Sequence, residues 1–186
     1  LNQKESRHYP LGKKILKGAG IGMEDSRLLQ VFVNLGGWDK DENLDLVRFG
    51  ISSDFPEDVK ESAERLVKEA YYSNAEITYG TKRVNLTDLP LITIDGQATL
   101  DYDDALSIEK SNDQYRLGIH ISDVGHFIKK DSPIDQAAVK RASSIYTPDR
   151  KIPMIPPGLA EGLCSLRAGE LRPAISTFVE IGGFGN

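Results

Sequence analysis

The chain has 186 residues, 39% of them hydrophobic and 27% charged, with a formal net charge of −5. Those values exclude a disordered protein and bound the chain to one good-sized domain, or one domain plus a smaller module. A lone cysteine, Cys164, excludes an internal disulfide and a cysteine-rich zinc site. No apolar run reaches the roughly 18 residues that span a bilayer, and LNQKESRHYP at the start lacks the apolar stretch of a signal peptide. The expected setting is reducing and cytoplasmic, with no membrane partner. Leu1 in place of Met, and an end at EIGGFGN just after a β-like run, read as a piece of a longer protein.

Residues 1–20 are basic and glycine-rich, with no regular period, and read as a solvated arm or short strand pair, or as a phosphate-contacting surface. In MEDSRLLQVFVNLGGW, Leu28, Leu29, Val31, Phe32 and Leu35 recur at helical spacing up to Gly36–Gly37. DKDENLDLVRFG repeats the form and stops at Gly50. Residues 1–54 are thus expected to form a small helical module, helix-turn-helix or winged-helix-like. Neither helix is basic, so DNA is not an expected partner.

Pro56 opens PEDVKESAERLVKEAYY, whose Val59, Ala63, Leu66, Val67 and Ala70 share one stripe of a connector helix. The connector and its linker run over 55–87. From Leu91 onward LITI, DALSIE, YRLGIHI and GHFI are short β-prone runs, and SNDQ at 111–114 turns the middle two into a hairpin. SPIDQAAVKRASSIY reads as a capped helix reaching Tyr146, followed by a proline-rich loop with room for one helical turn. RPAISTFVEIG closes as a strand. The fold class is α/β (α+β), a mixed or antiparallel sheet flanked by helices, over 88–186.

The chemistry concentrates in TIDGQATLDYDDALSIE, where Asp95, Asp101, Asp103 and Asp104 fall within ten positions. Carboxylates so close repel one another, and the repulsion raises their pKa values. A fold accommodates this when the loop is solvated or a cation fills the gap. The apolar flanks favour a loop at the edge of a buried sheet, and hence a cation. An Asp-x₅-Asp-x-Asp-Asp loop suits Mg²⁺, which takes one or two carboxylates together with water and phosphate oxygens. An EF-hand does not fit, because glycine falls at the second position and no closing glutamate follows. Zinc fits poorly: His120 alternates with Gly118 and Ser122 on a strand and reads as structural, while His126 is open to either reading. From the spacing alone, phosphodiester or phosphate-ester hydrolysis stands beside a structural cation site and a solvated acidic loop.

DLPLITIDGQATLDYDDALSIE, LGIHISDVGHFI, SSIYTPDRKIPMIPPGLAEGLCSL and RPAISTFVEI, in that order over Asp88 to Ile181, resemble the catalytic domain of the ribonuclease II/ribonuclease R family. The resemblance implies a processive 3′-to-5′ exoribonuclease that hydrolyses single-stranded RNA with Mg²⁺, or Mn²⁺ in its place, to nucleoside 5′-monophosphates. It places Asp95 and Asp104 as metal ligands, Asp103 as the aspartate most critical for catalysis, and Asp101 as the one that steadies the terminal nucleotide and the metal site. Tyr146 matches an aromatic residue stacking near the RNA 3′ end. Cys164 reads as core packing, and Arg150 and Arg167 as phosphate-contacting or surface residues. LGGWDKDENLDLVRFGISSDFP is similar to the helical N-terminal segment of short members of the family. The family's catalytic arginine lies downstream of the position matched by Asn186, so these residues alone are expected to show little exoribonuclease activity. Two alternatives are an RNA-binding module of the same fold that performs no chemistry, and a phosphatase acting on small esters.

Overall fold

The computed structural model describes residues 4, 6–72, 83–97, 99–112 and 114–182. The chain divides into two compact units, Leu1–Ser53 and Asp54–Asn186.

The first unit holds α1 (Tyr9–Gly18), α2 (Asp25–Asn34) and α3 (Leu44–Phe49). The basic segment expected as an arm or strand pair is therefore helical from Tyr9. Pro10 sits in its first turn, where a missing N–H costs nothing, and Lys17 lies against the negative end of the helix dipole. Helix α2 stops where Gly36, at φ 70°, bonds back to Val33 O. Asn43 caps α3 by accepting from the Asp45 and Leu46 amides at 3.1 and 3.3 Å. Leu28 and Leu46 are buried, Phe32 stacks on Trp38, and Arg48 joins Asp25 to Asp45.

The second unit begins with α4 (Glu57–Tyr72), whose Glu57 and Asp58 favour its N-terminal dipole end. The expected stripe is borne out for four of its five residues, Ala70 lying outside the core cluster. Val59 and Ala63 are buried with Phe55, Ile128, Ile134, Ile155, Leu159, Ala160 and Cys164, and Leu66 and Val67 pack against that cluster. Fully buried side chains such as Ile134 and Leu159 stabilise the fold by about 1.5–3 kcal/mol each.

The sheet is antiparallel in the order β1 (Leu91–Ile92), β2 (Asp104–Ser111), β3 (Gln114–Ser122) and β6 (Ala174–Ile181). Hairpin β2–β3 turns at Asn112, which takes φ 54°. Three expectations need correction. GHFI is not a strand: Val124–Phe127 forms a short helix, α5, after Asp123. Helix α6 (Pro133–Arg141), capped by Ser132, ends well before Tyr146 because Ala142 enters the left-handed region at φ 63°. Ile145–Tyr146 then pairs as β4 with β5 (Lys151–Ile152), and Gly158–Leu163 forms a π-helical segment.

The sheet's two faces invert the expected burial. Ala105, Ser107, His120 and Ser122 form the covered face, whereas Ile92, Ile108, Ile121, Ile175 and Val179 lie on the open one at 42–62% exposure. Ile94, before the aspartate loop, is also exposed. The apolar flanks of the loop thus do not mark a sheet buried on both sides. On the covered face, Ser107 Oγ and Ser176 Oγ lie 2.9 and 2.8 Å from the two ring nitrogens of His120. Burial holds the pKa of His120 below the usual imidazole value, so the structural reading of this histidine is borne out. Gly118 leaves room for this arrangement: a Cβ there would lie 2.3 Å from Ser107 Oγ and 2.7 Å from His120 Nε2.

Candidate active site

The aspartates follow β1 and run into β2. Asp95 and Gly96 leave the first strand, a turn closes with the Thr99 amide on Gly96 O, and Asp104 begins the second strand opposite Ile121. The segment between is tied down through its backbone. Ser165, fully buried, accepts from the Tyr102 amide and donates to Leu100 O, each at 3.0 Å. The Leu166 amide donates to Tyr102 O and the Ser122 amide to Asp103 O, both at 2.9 Å. Ser122 also donates its hydroxyl to Cys164 O, and Arg172 donates to Ser165 O at 3.2 Å and Gly162 O at 3.3 Å. Three consecutive residues, Cys164 to Leu166, thereby fix the backbone on both sides of Asp101.

Asp95, Asp101, Asp103 and Asp104 line one cleft of about 520 Å³ together with Tyr146, Lys151 and Glu161. The residues singled out in the sequence are brought together except for the arginines. Arg150 pairs with Asp149 at 2.6 Å and Arg167 is exposed, and neither lines the cleft. Cys164 is buried in the core, and burial pushes its thiol up to about 12, which rules out an easily formed thiolate. His126 stands apart as well: its Nδ1 lies 3.2 Å from Arg83 Nη2, which also donates to Asp123 Oδ2 at 2.7 Å. Burial and the Arg83 charge lower the pKa of His126.

The electrostatics of the cleft centre on Asp103. Its carboxyl keeps an open side, yet partial loss of water and the charges of Asp101, Asp104 and Asp95 raise its pKa, with Lys151 working in the opposite direction. Lys151 donates to Asp101 Oδ2, and both side chains are poorly exposed. Burial works against the ammonium, but the hydrogen bond and ion pair with Asp101 dominate and its pKa is raised. Among the described residues no three acidic, histidine or cysteine side chains stand close enough to hold an ion as placed. The donor set nevertheless suits a hard divalent cation. It is all oxygen, and the mutual repulsion felt by Asp103 is what such a cation relieves.

Sequence reasoning missed Lys151, Glu161, Ser122 and Ser165. For Lys151 a signal existed: a four-residue turn, Thr147–Arg150, puts Tyr146 and Lys151 directly opposite each other. Ser165 stood in the GLCSL run beside Cys164, but nothing in a single sequence says that its hydroxyl reaches a backbone more than sixty positions away.

The RNB domain family model matches residues 83–186. Ribonuclease R of Mycoplasmopsis pulmonis is 46% identical over 135 residues, covering 70% of this chain and 18% of the relative. Ribonuclease R of Thermotoga maritima is 41% identical over 144 residues, covering 76% and 20%. Mycoplasma genitalium RNase R, solved in complex with ribose-methylated single-stranded RNA, superposes with a TM-score of 0.65 at 27% identity, over 74% of this chain and 21% of that one. The chain spans about a fifth of the length of the curated relatives it matches. The family resemblance carried by the aspartate loop and the strands that follow it is borne out: the chain belongs to the ribonuclease II/ribonuclease R family of RNB-domain proteins.

Proposed function

We propose that this chain is part of a 3′-to-5′ exoribonuclease that hydrolyses single-stranded RNA to nucleoside 5′-monophosphates in the cytoplasm, using Mg²⁺ or Mn²⁺. The observation that carries the reading is the meeting of four aspartates and an exposed aromatic ring, Tyr146, in one cleft. Carboxylates alone would serve any phosphate ester. A tyrosine ring 72% exposed beside them suits a polymer held base by base, because base–aromatic stacking tolerates any sequence.

In this reading Asp95 and Asp104 hold the metal, with Asp101 and Asp103 completing or bordering the site. The bound cation supplies a Lewis acid and an activated water. Asp103 is the group whose charge matters most at the reacting phosphate, and Asp101 steadies the terminal nucleotide. Tyr146 stacks on a base near the 3′ end. Arg150 and Arg167, outside the cleft lining, are assigned to RNA phosphates along the approach.

The chain on its own is expected to turn RNA over slowly at best. Among the described residues Lys151 is the one cation lining the cleft, and it is committed to Asp101; loss of a preorganised positive donor at a transition state costs roughly a hundredfold or more. Digestion of a 5′-labelled oligoribonucleotide by the complete protein tests the assignment. A ladder shortened from the 3′ end supports it. RNA that is retarded in a gel but uncut supports a binding module, and phosphate released from small esters alone supports a phosphatase.

A further inference from the structure

Lys151 has no catalytic or binding role in the reading above, yet it lines the cleft. Among the described residues five carboxylates line that cleft, those of Asp95, Asp101, Asp103, Asp104 and Glu161, and Lys151 is the one cation. Its ammonium is taken by Asp101, with side-chain exposures of 23% for the lysine and 14% for the aspartate. The lysine is also the cross-strand partner of Tyr146 in the β4–β5 hairpin, its Nζ 5.7 Å from the ring centroid. An ammonium on a flexible four-carbon stem can change partner without moving its backbone.

We propose that Lys151 is a partner-exchanging cation. It neutralises Asp101 while the cleft is metal-free. When a divalent ion draws Asp101 away, it transfers to the RNA phosphate flanking the base stacked on Tyr146. The inference rests on the reading of the cleft as a metal-dependent RNA site and adds a residue to it.

Two consequences follow from the geometry. A metal drawing on Asp101 must displace Lys151, so the lysine lowers metal affinity in the absence of RNA. Once displaced, and with the other aspartates neutralised by the ion, the ammonium has Glu161 and the phosphate flanking the stacked base as its remaining anionic partners. Hairpin β4–β5 would then grip one nucleotide by its base and its charge together.

The test compares Lys151→Met and Lys151→Arg with the parent residue on the full chain. Calorimetric titration with Mg²⁺, without RNA, is expected to show affinity raised roughly two- to fivefold by Lys151→Met, the range expected for freeing one partly exposed carboxylate. Lys151→Arg, which keeps the charge, should leave it at or below the parent value. Affinity for a short single-stranded oligoribonucleotide is then measured against salt, with Mg²⁺ present and Asp103→Asn as a common background to prevent cleavage. Each phosphate contact contributes a slope of about 0.7 in log K against log salt for single strands, and Lys151→Met should remove one such increment. Unchanged or weaker Mg²⁺ binding in Lys151→Met, or an unchanged salt slope, overturns the exchange while leaving the RNA site intact. Absence of RNA binding with Lys151 in place overturns the underlying reading of the cleft, and the exchange with it.

Discussion

The Tyr102 amide donates to the buried hydroxyl of Ser165 at 3.0 Å, across a sequence separation of sixty-three residues. That contact, with the one from Ser165 to Leu100 O, sets the backbone that presents Asp101 and Asp103. Ser165→Ala takes the partner from a part-buried amide and a carbonyl, which costs about 1 kcal/mol or somewhat more. The expected outcome is a lower urea midpoint together with a fall in turnover larger than any loss of RNA affinity. A variant as stable and as fast as the parent would remove Ser165 from the support of the loop.

Asp103→Asn is expected to abolish hydrolysis in the complete protein with RNA affinity nearly unchanged, since a neutral near-isostere removes charge and little volume. The raised pKa of Asp103 adds a second expectation. A group whose folded pKa lies above its unfolded value loses its stabilising contribution as pH rises through the folded value. Without metal, Asp103→Asn should therefore melt higher than the parent at neutral pH, and the gap should close below the ordinary carboxylate range. Thermal scans across pH in chelator check both parts.

Tyr146→Ala should weaken the hold on the RNA end more than it slows the chemical step. Stacking is worth roughly 1–3 kcal/mol per base, so short products would dissociate before the final cuts. Gel analysis of the limit digest should show longer end products than the parent leaves. Identical limit products would reduce Tyr146 to a surface residue of its hairpin.

His120 gives the fold an acid-sensitive point. Held between Ser107 and Ser176 with its pKa lowered by burial, it is neutral in the folded chain and protonates first in the unfolded one. Stability should be complete above the ordinary imidazole value of 6.5 and fall as pH drops from there toward the lowered folded value. His126, lowered in the same direction, adds to the slope. Urea midpoints that stay flat across that window would show that neither ring senses its surroundings in this way.

Local chemistry was readable wherever one element decides its own fate. The stripe of Val59, Ala63, Leu66 and Val67, the Asn112 turn, the packing role of Cys164 and the aspartate loop all follow from short-range pattern. Helix α6 ends earlier than its pattern suggests: Ala142 is an ordinary helix former, and nothing in the local sequence marks its left-handed backbone at φ 63°. GHFI has β-prone residues, but the Asp123 amide bonds to Pro173 O and the His126 amide to Asp123 O, which winds the chain after β3. The cleft's lysine and the serine beneath the loop were illegible for a related reason. Their partners are set by tertiary contact, and alternation alone does not say which face of a sheet is covered.

That last point bears on how the protein responds to heat. The positive heat-capacity change of unfolding comes mainly from apolar surface newly wetted when the chain opens, on average about 12–15 cal/mol/K per residue. Ile92, Ile108, Ile121, Ile175 and Val179 already meet water in the native sheet, so they add little to that change. A smaller heat-capacity change flattens a stability curve, so these five side chains would make the stability of this chain fall less on cooling than its aliphatic content suggests.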